Sequence, residues 1–350
     1  MKESSVPARI PLSIALLACS VLLIFAFTLA VSWGAIPIPF NAVWAILLKQ
    51  TLQLDVGIVV NPMHADIVWT LRTPRVVLAA LVGAGLSLAG VAAQALVRNP
   101  LADPYVLGVS AGAALGAVAS IVIGLGAFGV SSTSGAAFLG ALVAIGLVLI
   151  FGQRGGVISP LRLILAGVAI GHLLEGLTSF LVLRAEDAHQ VYGILFWLAG
   201  SLAQSNWRYL WLPAAGVLVG VLFLLIDGQK LNALLVGDET AASLGVDVIR
   251  LRQRLLALTA LLTALMVALS GAIGFVGLVV PHIARLFVGS DHRRVVPVAT
   301  VFGAAFLIIA DTIARLLLAP VEIPVGIVTG IFGAPFFLWL LWRSEHVARV

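Results

Sequence analysis

RTPRVVLAALVGAGLSLAGVAAQALVRNPLADPYVLGVSAGAALGA, residues 72–117, decides the fold class. Between Arg75 and Arg98 lie 22 residues whose only polar side chains are Ser87 and Gln94. As a helix they extend about 33 Å, enough to cross a hydrocarbon core of about 30 Å. The chain then turns through RNPLADP, residues 98–104. Two prolines there set a rigid bend, or no more than a tight turn. A second apolar run follows from Val106. Apolar helix, short polar turn and apolar helix again is the pattern of a polytopic membrane protein.

The whole chain repeats it. Of 350 residues, 61% are hydrophobic and 10% charged, against about 25% charged in soluble domains. The mean hydropathy is +1.16. A soluble enzyme, a disordered protein and a nucleic-acid module are excluded, because too little charge is present to face water. The 35 glycines point to helices that approach closely. Cys19 is the single cysteine, so neither an internal disulfide nor a cysteine zinc site is available.

About ten spans are expected, all α-helical: 10–32, 76–97, 106–124, 136–152, 161–183, 209–226, 255–272, 275–288, 295–318 and 325–342. The first is longer than a signal-peptide core and lacks a clean cleavage site, so it reads as a retained span. The stretch through Pro37, Lys49 and Asp55 is too polar to cross, and 194–199 reads as a surface helix. Starting inside, ten spans put both termini in the cytoplasm. That places 14 of the 20 basic residues inside and six outside, as the positive-inside rule requires. The chain reads as one permease-like domain, 1–350, of two five-span halves. Five is odd, so a structural repeat between them would be inverted. The only internal echo is a shared G-x7-R spacing, Gly90 to Arg98 and Gly277 to Arg285.

No phosphate-binding loop of the G-x-x-x-x-G-K-[ST] type occurs, no H-E-x-x-H, and no histidine cluster at metal-ligand spacing. Catalysis, a metal site and a resident cofactor are therefore not expected in this chain. The longest polar segment after the first span is 227–254. Asp238 and Glu239 lead a short helical run through Ala241 and Ala242, and Gly245 suits its end. Two readings are open: a helix that seats in a groove on another protein, or a solvated connector.

Three basic residues run against the inside bias. Arg72 and Arg75 precede the second span, and Arg315 sits near the outer end of the ninth. They serve a carboxylate-bearing partner, or snorkel at the interface, or, for Arg315, pair with Asp311 one turn away. Within the fifth span His172 and Glu175 share a helix face. Ionisable residues at membrane depth line a pathway, or make a buried interhelical hydrogen bond. Gln94 and His282 are expected to bond backbone or neighbouring helices.

These stretches resemble the FecCD-family permeases of type II ABC importers, which take up iron-siderophores, haem and cobalamin. The resemblance rests on residues 72–117, on LSGAIGFVGLVVPHIARL (269–286), GSDHRR (289–294), ADTIARL (310–316) and EIPVGIVTGIFGAPFFLWLL (322–341). It covers nearly all of the chain after the first span, and similarity to the cobalamin permeases is close. It implies one half of a dimeric permease in the bacterial cytoplasmic (inner) membrane. The second half is an identical or paralogous subunit. Two ATPase subunits carrying ATP and Mg would bind below, and an extracytoplasmic substrate-binding protein above. The resemblance makes the segment at Asp238, Glu239, Ala241, Ala242 and Gly245 the ATPase coupling segment. It makes Arg72, Arg75 and Arg315 the docking residues for the binding protein, and it puts the fifth and tenth spans on the translocation path. There His172 and Glu175 depart from the family pattern by being more polar. The expected cargo is an iron chelate such as a ferric siderophore, with haem or cobalamin as alternatives. A proton-coupled secondary transporter using Glu175 and Asp311, or a membrane scaffold, are the readings from other classes.

Overall fold

The structure, a computed structural model, describes residues 10–124, 130–154 and 157–348. The expected cytoplasmic N-terminus, with Lys2 and Arg9, and the last two residues lie outside these. Among the described residues the regular structure is helical, apart from one short antiparallel pairing of β1 (Gln153–Arg154) with β2 (Val157–Ile158).

Seven segments are long and apolar enough to cross a membrane. The first is α1 (Leu12–Ser32). The second, residues 62–97, runs from α3 (Pro62–Asp66) through a π-helical turn (Ile67–Arg72) into α4 (Thr73–Val97). The others are α6 (Val130–Gly152), α7 (Pro160–Val182), Trp207–Ile226, which ends in α9 (Trp211–Ile226), α12 (Val248–Ser270) and α14 (His292–Leu316). Shorter apolar stretches stand where the third, eighth and tenth spans are expected: α5 (Val109–Val122), α13 (Val276–Val288) and Val325–Leu340, the first part of α15 (Val325–Ala348). The polar stretch after α1 holds α2 (Phe40–Leu52), and the surface helix is longer than expected, α8 (Ala188–Leu198).

All eight tryptophans lie at or beyond the ends of apolar helices: Trp33, Trp44, Trp69, Trp197, Trp207 and Trp211, with Trp339 and Trp342 near the end of α15. An indole has an apolar body and one N–H donor, which suits the headgroup layer. Trp69 and Trp207 pack with ring centroids 4.7 Å apart, and the Trp207 indole donates to the Trp69 carbonyl at 2.8 Å.

α4 is the axis of the fold. Its residues from Val82 to Leu96 are buried, and it packs against α9, α12, α13 and α14. Lipid is as apolar as leucine, so burial alone does not drive such packing; close backbone approach does. A Cβ on Gly90 would overlap the carbonyl oxygen of Gly277 on α13, and one on Gly83 that of Gly303 on α14. The two glycines of the shared G-x7-R spacing thus touch one another.

The segment 227–254 is more structured than a single short helix. It holds α10 (Gly228–Val236), α11 (Asp238–Ser243) and the first turns of α12.

Candidate functional site

Three places carry polar chemistry. The first is the segment around α11. Gly237, at φ 144°, breaks the chain between α10 and α11. Asp238 and Glu239 then occupy the first turn of α11, where its unpaired amides favour negative charge. At the far end the Gly245 amide donates to the Ala242 carbonyl at 2.9 Å, and Val246 donates to Ala241 at 3.0 Å. Gly245 sits at φ +81°, so the helix closes in a Schellman motif that only glycine enters without strain. The sequence reading placed that stop correctly.

Two expectations for α11 need correction. Ala241 is fully buried and seats the helix on its own chain. The exposed face is formed by Glu239, Thr240, Ala242, Ser243, Leu244 and Gly245. Asp238 is engaged inside the chain as well, with Arg252 at 3.0 Å and Arg98 at 3.4 Å. Arg98, at the end of α4, therefore clamps α11. Sequence reasoning missed a second clamp: the Asn232 amide on α10 donates to Asp291 at 2.7 Å, and its oxygen accepts from the His292 backbone at 2.9 Å. Asp291 also caps α14, accepting from Arg293 N at 3.0 Å. The Asn232 amide holds the Asp291 carboxyl below the usual range. The Ser-Asp-His run was a legible cap signal; its partner on another helix was not.

The second place is the end where α1, α4 and α14 meet. Arg72 is buried and donates to the carbonyls of Val31 (2.8 Å), Ser32 (2.9 Å) and Ile36 (2.6 Å). Arg75 grips Asp311 through Nε and Nη2, at 3.0–3.2 Å, and Glu322 through Nη1 at 2.8 Å. Arg315 lies 3.1 Å from Asp311 and donates to the Ala30 carbonyl at 2.9 Å. The three arginines expected to face a partner thus turn inward. Their side chains and that of Asp311 are nearly buried; Glu322, which sequence reasoning did not flag, is the accessible member, 40% exposed.

The third place is α7. Leu163, Gly167, Ile170, Gly171, Leu174 and Thr178 are buried in one stripe at helical spacing. The other face is exposed and carries His172 and Glu175, joined at 3.0 Å. Both line an open cavity of about 500 Å³ between α5, α7 and the turn after α4, with Tyr105 and Ser110. The expected buried interhelical bond is not what this pair makes. Tyr105, also not anticipated, donates from its hydroxyl to the Ile273 carbonyl at 3.0 Å and accepts from the Ile273 amide at 3.1 Å. It thereby pins the break between α12 and α13. Gln94 bonds as expected, to the carbonyls of Gly277 (3.3 Å) and Leu278 (3.4 Å), and accepts from Arg285. His282 does not: its buried Nδ1 lacks a partner among the described residues.

Residues 22–343 match the FecCD transport family. The chain belongs to that family. It is 43% identical over 313 residues to the cobalamin import system permease protein BtuC of Halobacterium salinarum, covering 89% of this chain and 80% of that one. It is 39% identical over 320 residues to the hemin transport system permease protein HmuU of Yersinia pestis, covering 89% and 90%. A solved structure of a metal-chelate type ABC transporter in an inward-facing conformation superposes with a TM-score of 0.82 at 31% identity, over 95% of this chain and 99% of that one. The chain is accordingly an ABC importer permease of the FecCD family, a multi-pass membrane protein with the ABC permease fold.

Proposed function

We propose that this chain is one half of a dimeric, ATP-driven importer that carries an iron chelate across the bacterial cytoplasmic membrane. Ten helices cross, α5, α13 and α15 among them, with both termini inside. An extracytoplasmic binding protein delivers the cargo, and two ATPase subunits hold the ATP and Mg. The permease performs no hydrolysis, because its sequence offers no phosphate loop. The relatives named for cobalamin and hemin transport and the metal-chelate neighbour support a metal chelate as the cargo class. Ferric siderophores remain within it.

The observation that carries this reading is the exposed face of α11. Ala242, Ser243 and Gly245 let another surface approach closely. Leu244, 68% exposed, and Val236, 73% exposed, offer apolar contact outside the apolar spans. Clamped by Asp238 and Asn232, the segment moves with α4 and α14. At the opposite end, the arginine cluster holds α1, α4 and α14 in register. Binding-protein docking there involves Glu322 and the backbone loops that the arginines brace, as well as Arg72, Arg75 and Arg315. A proton-coupled carrier is less well supported, since Asp311 is held by two guanidiniums.

The test is Ala242→Arg beside Gly245→Val. Both positions are exposed, so the spans still fold. Either the ATPase fails to co-purify, or hydrolysis proceeds without vesicle uptake. Full retention with full uptake in both variants would reduce the segment to a connector.

A further inference from the structure

We propose that Arg285 anchors an acidic phospholipid of the cytoplasmic leaflet, whose phosphodiester supplies the counter-charge that this chain does not. The inference goes beyond transport and rests on the permease reading only for which ends of the helices are cytoplasmic.

Pro281 lies inside α13 and has no amide hydrogen, so the Gly277 carbonyl one turn earlier loses its helical donor. Gln94 on α4 replaces it, its amide donating to Gly277 at 3.3 Å and to Leu278 at 3.4 Å. The Gln94 oxygen is thereby aimed at Arg285 and accepts from Nη1. That is the one hydrogen bond Arg285 makes among the described residues, and it makes no ion pair there. Arg75, Arg98, Arg252 and Arg315 each reach a carboxylate; Arg285 does not. The side chains within reach of its charge are His282 and His292, and an imidazole supplies no negative charge. Asp291 is committed to Asn232 and to the first turn of α14, and Asp238 to Arg98 and Arg252. A guanidinium bordered by hydrocarbon is costly without a counter-charge, so the anion comes from outside the chain.

Its depth points to lipid. Arg285 lies one turn before α13 ends at Val288, and Gln94 lies one turn before Arg98 closes α4. Ile10, just ahead of α1, donates to the Phe287 carbonyl at 3.0 Å. Three helix ends therefore share this level, where hydrocarbon gives way to headgroups. Arg285 is partly exposed, and its neighbours Leu286 and Phe287 are 58% and 45% exposed. A phosphate can meet the guanidinium while its acyl chains lie against these two side chains. The planar N–H fork matches two phosphate oxygens. Arg293 and Arg294, both exposed, open α14 just beyond. Basic side chains at the cytoplasmic ends of packed helices favour headgroups of net negative charge, so phosphatidylglycerol and cardiolipin are preferred to zwitterionic lipids. Inorganic phosphate offers the same oxygens without the chains.

The permease, assembled with its ATPase, is placed in nanodiscs of mixed phosphatidylcholine and phosphatidylglycerol, and retained lipid is counted by native mass spectrometry as collision energy rises. Phosphatidylglycerol is expected to outlast phosphatidylcholine on the wild type and on Arg254→Gln, which removes an exposed cation of α12. Arg285→Gln, whose amide can still bond Gln94, loses that preference. In detergent, added phosphatidylglycerol raises the wild-type unfolding temperature saturably. Phosphatidylcholine and inorganic phosphate do not, and Arg285→Gln does not respond. Arg285→Lys keeps the charge without the fork and needs more phosphatidylglycerol for half the shift. Retention of phosphatidylglycerol by Arg285→Gln equal to wild type overturns the proposal, as does equal retention of the two lipids by the wild type. A shift reproduced by inorganic phosphate assigns a plain anion pocket and overturns the lipid. If Arg285→Gln yields no folded protein, Arg285→Lys decides: a response identical to wild type overturns the site. A preference seen in the permease alone but lost on assembly makes the counter-charge a carboxylate of the ATPase, and the proposal falls. ATPase co-purification and ATP-dependent uptake are scored separately. Their loss with the lipid preference intact refutes the permease reading and leaves the lipid site standing; the converse refutes only the lipid site.

Discussion

At the scale of single residues, charge inside this protein is placed to hold helices. Asp311, with its side chain 2% exposed, answers two guanidiniums at once. Removing that charge leaves both cations without their shared partner, and breaking a buried pair costs about 3–5 kcal/mol. Asp311→Asn is therefore expected to lower the unfolding temperature in detergent sharply. Glu322→Gln, at a half-exposed carboxylate, should cost under about 1 kcal/mol. Equal effects would contradict the geometry. Asp291 makes a pH-dependent contribution. Its folded pKa is depressed, chiefly by the Asn232 amide. The stabilisation is thus complete above the ordinary aspartate pKa and is lost as pH falls through the lower, folded value. Asp291→Ala removes an N-cap worth about 1 kcal/mol. Unfolding curves of wild type and variant should be separated at pH 7 and converge in acid. A gap that persists unchanged in acid would assign the effect to packing instead of the carboxylate.

At the scale of elements, α4 decides whether the fold forms. Its contacts with α13 and α14 run through glycines at backbone distance. Gly90→Val drives two methyl groups into the Gly277 carbonyl; overpacking of this kind costs about 3 kcal/mol. Loss of monodisperse protein on size exclusion is the expected outcome. Gly176→Val, on an exposed face of α7 with nothing within 4 Å of the added carbon, should purify normally. α4 and α14 also connect the two ends of the permease. α4 carries Arg75 at one end and Arg98 at the other, where it pairs with Asp238. α14 carries Asp311 and Arg315 at one end and is tied to Asn232 at the other.

At the scale of the whole molecule, orientation is a matter of charge and aromatic belts. In a Cys19→Ala background, single cysteines at Ser243 and Ala185 should react with impermeant maleimide from opposite sides of sealed vesicles. Labelling from one side only would overturn the ten-span arrangement. The arginine cluster changes what a docking experiment means. Reversing Arg75 to Glu would crowd three carboxylates, Asp311 and Glu322 among them, so lost docking in that variant would report on the fold. Substitution at the accessible Glu322 reports on docking with less disturbance.

The sequence by itself determined that the chain lives in lipid, how its apolar helices are spaced, and where α11 stops. These are properties of local composition: an apolar run of sufficient length must be helical in a bilayer, and a glycine after Ser243 and Leu244 ends a helix within one turn. It also singled out Arg72, Arg75 and Arg315 as charges against the inside bias, with Asp311 one turn from Arg315. Which of them meet was decided only by tertiary structure. Arg75 reaches Asp311 across 236 residues and Glu322 across 247, and no local pattern encodes a separation of that size. For the same reason the sequence could not say that Ala241 faces inward, or that His172 and Glu175 open onto a cavity. A helix has one periodicity, but which of its faces is covered depends on the neighbours that pack against it.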